Sequence, residues 1–174
     1  MPDSFVTLRD RVGQEVGVSD WLTVDQQPTD AFSRATLDPD PMHTDPVWCA
    51  KYSPFGSTIA FGFHTISLLT YFSHQALGWM HDDRGGGGGY GLNYGFDRLR
   101  LLHPVRIGSR IRARFTMLAH REPRPGEHLS TLAVTIEIEG SSKPALYAEW
   151  LGLWIEGEAG HARLVERHGG AERT

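Results

Sequence analysis

From about Phe61 to Trp79 the chain is apolar on nearly every side of a helix, with Phe63, Ile66, Leu68, Leu69, Tyr71, Phe72 and Leu77 spread around it. A helix that is hydrophobic all round is a buried one, so the rest of the chain has to supply its cover. Past a glycine run at 85–89, which reads as a flexible loop, the pattern changes to strands. Leu92 to Val105, Arg110 to Ala119, His128 to Glu139 and Ala145 to Ile155 each read as one strand. In the third, Leu132, Val134, Ile136 and Ile138 alternate with Ala133, Thr135, Glu137 and Glu139, a period of two. Turn clusters at Pro104–Ser109, Arg121–Glu127 and Gly140–Pro144 separate the strands. A buried helix followed by consecutive strands predicts an α+β fold, with an antiparallel sheet wrapped around the long helix.

Upstream, residues 4–12 predict a short amphipathic helix and Val16 to Val24 a strand. Asp25 is placed to cap a helix running to about Thr36, with Pro28 tolerated in its first turn and Ala31, Phe32 and Ala35 on its buried face. Pro46 to Tyr52 predicts a further short helix, and Pro54 to Ser57 a turn. At 174 residues the chain is expected to form one domain over 1–157, with 158–174 a polar, poorly ordered tail.

Composition narrows the function. Seventeen basic against 21 acidic residues give a net charge of −4, no electrostatic basis for binding nucleic acid. The single cysteine, Cys49, excludes an internal disulfide and fits a reducing cytoplasm. The N-terminus lacks a signal-peptide pattern, and the longest apolar stretch is too short and too polar for membrane insertion.

The chemistry concentrates in Asp38-Pro39-Asp40-Pro41-Met42-His43-Thr44-Asp45. Two prolines prevent regular structure and pin a loop carrying a carboxylate and an imidazole five positions apart. An unperturbed histidine titrates at about 6.5, so it exchanges protons at working pH. Gly62 opens the buried helix, where backbone amides are free donors and the helix dipole favours developing negative charge. Each feature also has a plainer reading. Asp38 can cap a turn, His43 can be a satisfied loop histidine, and Gly62 can be a packing glycine. Asp38, Asp40, His43 and Asp45 are four potential metal ligands, but their spacing matches neither an EF-hand loop nor a zinc pattern. Arg98, Arg100, Arg106, Arg110, Arg112 and Arg114 alternate as on a solvated sheet face.

The Asp38-x-Asp40-Pro41-Met42-His43 segment resembles the Asp-x-Asn-Pro-aliphatic-His signature of the MaoC-like, or hydratase-2, dehydratases of the hot-dog fold. Thr58 to Phe63 with Ser67-Leu68-Leu69 resembles the start of that family's central helix. Gly91 to Gly95 and Pro104 to Ser109 resemble its second and third strands and their connection. The likeness runs from about Gly13 to about Ile155, and the order of its parts tips the Asp/His pair toward catalysis.

The resemblance implies an (R)-specific enoyl-thioester hydratase in which Asp38 and His43 hold one water and the Gly62 amide binds the thioester carbonyl. It implies no metal and no cofactor beyond the coenzyme A or acyl-carrier-protein arm of the substrate. An acyl tunnel lined by Phe61 and Phe63 is expected, with Thr70 adding a hydroxyl. A homodimer or higher homo-oligomer would cover the sheet edge and helix face that one unit exposes, and an acyl carrier protein is a candidate partner. Three positions depart from the family: Leu37 stands for Gly, Asp40 for Asn and Phe61 for His. The last removes a polar group from the edge of the site and bears on substrate preference.

Two rival functions remain. Thioester hydrolases of this fold carry a carboxylate on the central helix, and Phe61 to Trp79 contains no Asp or Glu. A non-catalytic acyl-binding scaffold would not need the Asp/His pair.

Overall fold

The computed structural model describes residues 7–78 and 89–168; most of the glycine run at 85–89 lies outside them. A 3-10 helix (Thr7–Arg11) leads into β1 (Glu15–Val18) and β2 (Leu22–Thr23). Helices α1 (Gln26–Thr36), α2 (Pro41–Thr44), α3 (Pro46–Tyr52) and α4 (Gly62–Leu77) follow. The chain continues through β3 (Tyr90–Leu101), β4 (Arg110–Arg124), β5 (Glu127–Ile138) and β6 (Leu146–Ile155) to α5 (Gly157–His168). The class is α+β: one antiparallel six-stranded sheet in the order β1-β4-β5-β6-β3, with β2 also pairing β4.

The period-two residues of β5 do what their spacing predicts. Leu132, Val134 and Ile136 are buried, as are Ile111, Ala113, Phe115 and Met117 on β4. They join Leu69 and Phe72 of α4 in one apolar cluster, so the sheet's inner face closes on the helix. Gly17 permits a close backbone approach between β1 and α4: a Cβ there would lie 2.5 Å from the Ala76 carbonyl oxygen. On the outer face, Arg112 and Arg114 share the Glu137 carboxylate at 2.6 and 2.7 Å, and Arg110 pairs with Glu139. These arginines form the solvated face their alternation suggested.

Several local expectations change. The single strand expected over Val16–Val24 is two, because Ser19 turns inward: its amide donates to the Ala113 carbonyl and its hydroxyl accepts from the Ala113 amide. Helix α1 buries Thr29 and Ser33, while Ala31 and Ala35 are exposed and Phe32 is half-buried. Pro41 does not keep the loop irregular; it takes the first position of α2, where a missing N–H costs nothing. Helix α4 is not covered all round within one chain: Phe63 is 74% and Tyr71 42% exposed. The segment expected as a polar tail is helical as far as His168, and Arg167 of α5 reaches the buried Glu127 at 2.8 Å.

Helix α1 ends at Leu37, with φ 58° and ψ 31°, the one non-glycine residue of positive φ among the described residues. An L side chain in this left-handed region costs roughly 1–2 kcal/mol, and helix ends normally place glycine here. The Leu37 side chain is 87% exposed, so it recovers little by packing. Leu37→Gly is therefore expected to raise the unfolding free energy by up to about 1 kcal/mol, after allowance for the looser unfolded chain, in denaturant melts.

Phe32 of α1 stacks on His64 of α4 with ring centroids 5.1 Å apart and an interplanar angle of 19°. The His64 Nδ1 is buried without a hydrogen-bond partner, and burial lowers the pKa of the ring. The folded state thus binds fewer protons here than the unfolded one. Its contribution to stability is intact above the unfolded value, about 6.5, and is lost as pH falls toward the lower folded value. His64→Phe is expected to flatten the decline of Tm between pH 7 and pH 5. Part of the slope will remain, because burial and the neighbouring His128 lower His120 in the same direction.

Candidate active site

Asp38 sits just beyond the left-handed end of α1. Its amide donates to the Ser33 carbonyl at 3.1 Å, and the Ser33 hydroxyl donates to the Asp38 carbonyl at 2.6 Å. Its Oδ1 accepts from the Asp40 amide at 3.2 Å, which folds the Asp-Pro-Asp segment into a tight turn. Asp40 then caps α2 by accepting from the Met42 amide at 2.8 Å, and Asp45 caps α3 by accepting from Trp48 at 2.9 Å. Two of the four residues offered as metal ligands are thereby used as helix caps. Cys49 of α3 is buried behind α2, with its thiol on the Pro41 and Met42 carbonyls, each at 3.4 Å. Burial, reinforced by the Asp45 carboxylate, pushes the Cys49 thiol pKa up.

His43 is the penultimate residue of α2. Its Nδ1 lies 2.8 Å from the carbonyl oxygen of Ile59. A carbonyl only accepts, so Nδ1 carries the proton, and the neutral ring keeps its lone pair on Nε2. The peptide at Ile59 holds on in the other direction too, its amide donating to the Met42 carbonyl at 3.2 Å. The segment Thr58–Ala60 is itself strapped to the loop after β3, through Ile107 to Thr58 at 3.0 Å and Ala60 to Val105 at 2.8 Å. Phe61 is buried, with its ring centroid 3.9 Å from that of His43 and 5.3 Å from that of Phe32.

A cavity of about 290 Å³ opens beside this strap. His43 and Gly62 both line it, together with Phe55, Ile59, Ala60, Thr65, Leu101, Leu102, His103, Pro104, Val105 and Ala145. The imidazole and the N-terminal amide of α4 thus face one space. A Cβ at Gly62 would meet Cδ1 of Leu101, the tip of a half-exposed side chain, so the end of β3 packs directly on the helix start. Among the other anticipated residues, Asp38 is exposed and outside the cavity lining. Phe61 lies behind His43 rather than in the wall. Phe63 points to the surface, and Thr70, two turns on, is half-buried away from this space.

Sequence reasoning missed Leu101, Leu102 and His103 as part of the site. Their place at the end of a strand gives no chemical signal; only the approach of Leu101 to Gly62 brings them in. A second cavity of about 310 Å³, lined by Leu22, Thr23, Val24, Asp25, Pro28, His64, Leu68 and Tyr71, lies on another face of α4.

Known proteins share both the sequence pattern and the fold. The family model described as "MaoC like domain" matches residues 7–138. Nodulation protein N of Rhizobium leguminosarum bv. viciae is 40% identical over 148 residues, covering 85% of this chain and 89% of that protein. The 3-hydroxyacyl-thioester dehydratase Z of Mycobacterium tuberculosis (strain ATCC 25618 / H37Rv) is 38% identical over 147 residues, 84% of this chain and 93% of that protein. In fold, the chain matches the (R)-hydratase from A. caviae involved in PHA biosynthesis with a TM-score of 0.62, over 81% of this chain and 94% of that one, at 24% identity. With an antiparallel sheet closed on a central helix and His43 lining the same cavity as that helix's first residue, the chain belongs to the MaoC-like dehydratase family of the hot-dog fold.

Proposed function

We propose that this protein catalyses the reversible hydration of trans-2-enoyl thioesters, carried on coenzyme A or an acyl carrier protein, to (R)-3-hydroxyacyl thioesters. The observation that carries the reading is the shared cavity: an imidazole with a fixed tautomer and the first amide of a sixteen-residue helix line the same space. Addition of water needs a base at the water, a donor at the carbonyl oxygen and a proton for the α-carbon. His43 Nε2 takes one proton from the water as its oxygen bonds to the β-carbon. The α,β double bond shifts its electrons toward the carbonyl, and the Gly62 N–H holds the resulting enolate oxygen. A proton returned through the His43/Asp38 pair to the α-carbon completes the addition, so the site ends in the protonation state in which it began.

Asp38 is assigned as the second holder of the water on its resemblance to the family signature, although it is exposed and outside the cavity lining of the single chain. A donor aimed at a developing oxyanion is typically worth about 2.7–4 kcal/mol in such reactions. Phe61 backs the His43 ring and does not itself line the cavity; Phe63, exposed on α4, could meet the acyl chain only in an assembly that covers it, and Thr70 is away from the cavity.

The functional unit is proposed to be a homodimer. Strand β3 is an edge strand that pairs only with β6 among the described residues, and Leu92, Tyr94 and Phe96 on it are exposed. Pairing two such edges would cover this apolar surface and remove an open template for aggregation. Sedimentation equilibrium is expected to return twice the 19.4 kDa chain mass.

The direct test follows the enoyl-thioester absorbance band with crotonyl-CoA and longer 2-enoyl-CoA substrates. The native protein is expected to abolish the band without releasing free thiol. Asp38→Asn and His43→Ala are each expected to slow that loss by about 10²–10⁴-fold, the usual worth of positioned acid/base groups. Thiol release would identify a hydrolase instead, and a band that persists at every chain length would leave a binding subunit.

A further inference from the structure

Gln26, the first residue of α1, spends every polar atom of its side chain on the site. Its Nε2 donates to the carbonyl oxygen of His43 at 2.7 Å and to Asp30 Oδ1 at 2.7 Å. Its Oε1 accepts from the Thr58 hydroxyl at 2.6 Å. One amide therefore joins α1, the α2 turn that carries His43, and the strap whose Ile59 carbonyl holds the His43 ring. Thr58 is buried and Gln26 half-buried, so the contact between them is shielded from water.

We propose that Gln26 is a positioning residue for His43, a role that rests on the hydratase reading given above. Without it, α2 would be tied to the strap by the Ile59–Met42 and His43–Ile59 bonds, both of which fall on the single residue Ile59. Two bonds to one residue leave a hinge about which the α2 turn can rock. Gln26 closes that hinge, because it grips the His43 backbone on one side and the adjacent strap residue on the other. The side chain suits the task because an amide offers a donor and an acceptor on one rigid plane. Truncation would leave the Thr58 hydroxyl and the His43 carbonyl without partners near the cavity, and the imidazole would lose its fixed angle.

The test combines Gln26→Met, Gln26→Glu and Thr58→Val with ring ¹⁵N spectra of His43. Gln26→Met keeps the length of the side chain and removes its hydrogen bonds. It is expected to lower kcat for enoyl-thioester hydration by about 10–100-fold, as a displacement of about 1 Å does, with KM little changed. Its His43 spectra should show the Nδ1–H tautomer giving way to a mixture. Thr58→Val, which leaves the bond to His43 in place, should lose less.

Gln26→Glu supplies the signature that a merely structural role would not give. An ionised glutamate faces the His43 carbonyl and Asp30 with no proton to donate, whereas the protonated acid restores one donor and one acceptor. The ratio of its kcat to that of the native protein should therefore rise as pH falls. A lower Tm in Gln26→Met with kcat and tautomer unchanged would overturn the proposal, and so would a Gln26→Glu ratio flat with pH. If the native protein hydrates no enoyl thioester, the hydratase reading fails and the ring spectra alone decide. A tautomer mixture in Gln26→Met would then uphold the positioning role, and an unchanged Nδ1–H ring would refute it.

Discussion

The hydrogen bond from His43 Nδ1 to the Ile59 carbonyl organises the working end of the molecule. It selects the tautomer, and with it which ring nitrogen is left able to take a proton. It also requires that Ile59 be presented at a fixed height, which the chain achieves by stitching Thr58–Ala60 to the loop after β3. That loop is held in turn by the end of β3 and by Val105, which belongs to the core. The imidazole is thus referenced to the sheet through backbone bonds, whose geometry varies far less than that of a side-chain contact. Acid/base chemistry needs such a reference, since proton transfer tolerates little error in heavy-atom distance.

The same region shows how α4 opens. The helix brings its first residue to the cavity while β3 ends against it, and Leu101 fills the space a Cβ would take. Leu101 is half-exposed and its methyl could swing aside, so the packing favours a small residue without demanding glycine. A free amide, the part the proposed chemistry needs, could come from any residue at that position but proline. Leu37 makes the contrasting case. There the backbone adopts the left-handed conformation that helix ends normally give to glycine, and leucine accepts the strain one residue before Asp38.

Much of the architecture was legible because its signals are local. Period two in Leu132–Ile138 and the turn clusters mark three strand boundaries to within a few residues, and Pro46–Tyr52 is a helix with the predicted ends. Residue types and spacing drew attention to Asp38 and His43, but only the resemblance of their segment to a family signature favoured catalysis over a capped turn; of the two, His43 lines the cavity. The failures come from tertiary placement. Ala31 and Ala35 fit a buried helical face by period, yet α1 lies with Thr29 and Ser33 inward because polar partners, the Asp25 and Asp38 carbonyls among them, are available there. The Phe61–Trp79 segment read as buried all round, but a single chain leaves Phe63 in solvent. Hydropathy reports that a surface will be covered without saying whether its own chain covers it. Gln26 gave no signal, since an amide at a helix start is ordinary and its meaning lies in contacts 17 and 32 residues away.

That unfinished covering bears on the chemistry. Stabilising an enolate with one backbone amide works best where water is excluded, because each fixed dipole counts for more as the local dielectric falls. In one chain the cavity wall ends at Leu101, Leu102 and His103, all of them exposed, and the apolar edge of β3 leads directly into it. The surface that the proposed dimer would bury and the surface the reaction needs dry are therefore continuous. Folding, assembly and catalysis on this reading draw on the same apolar residues. The exposed face of α4, with Phe63 and Tyr71, is a second apolar surface that one chain leaves uncovered.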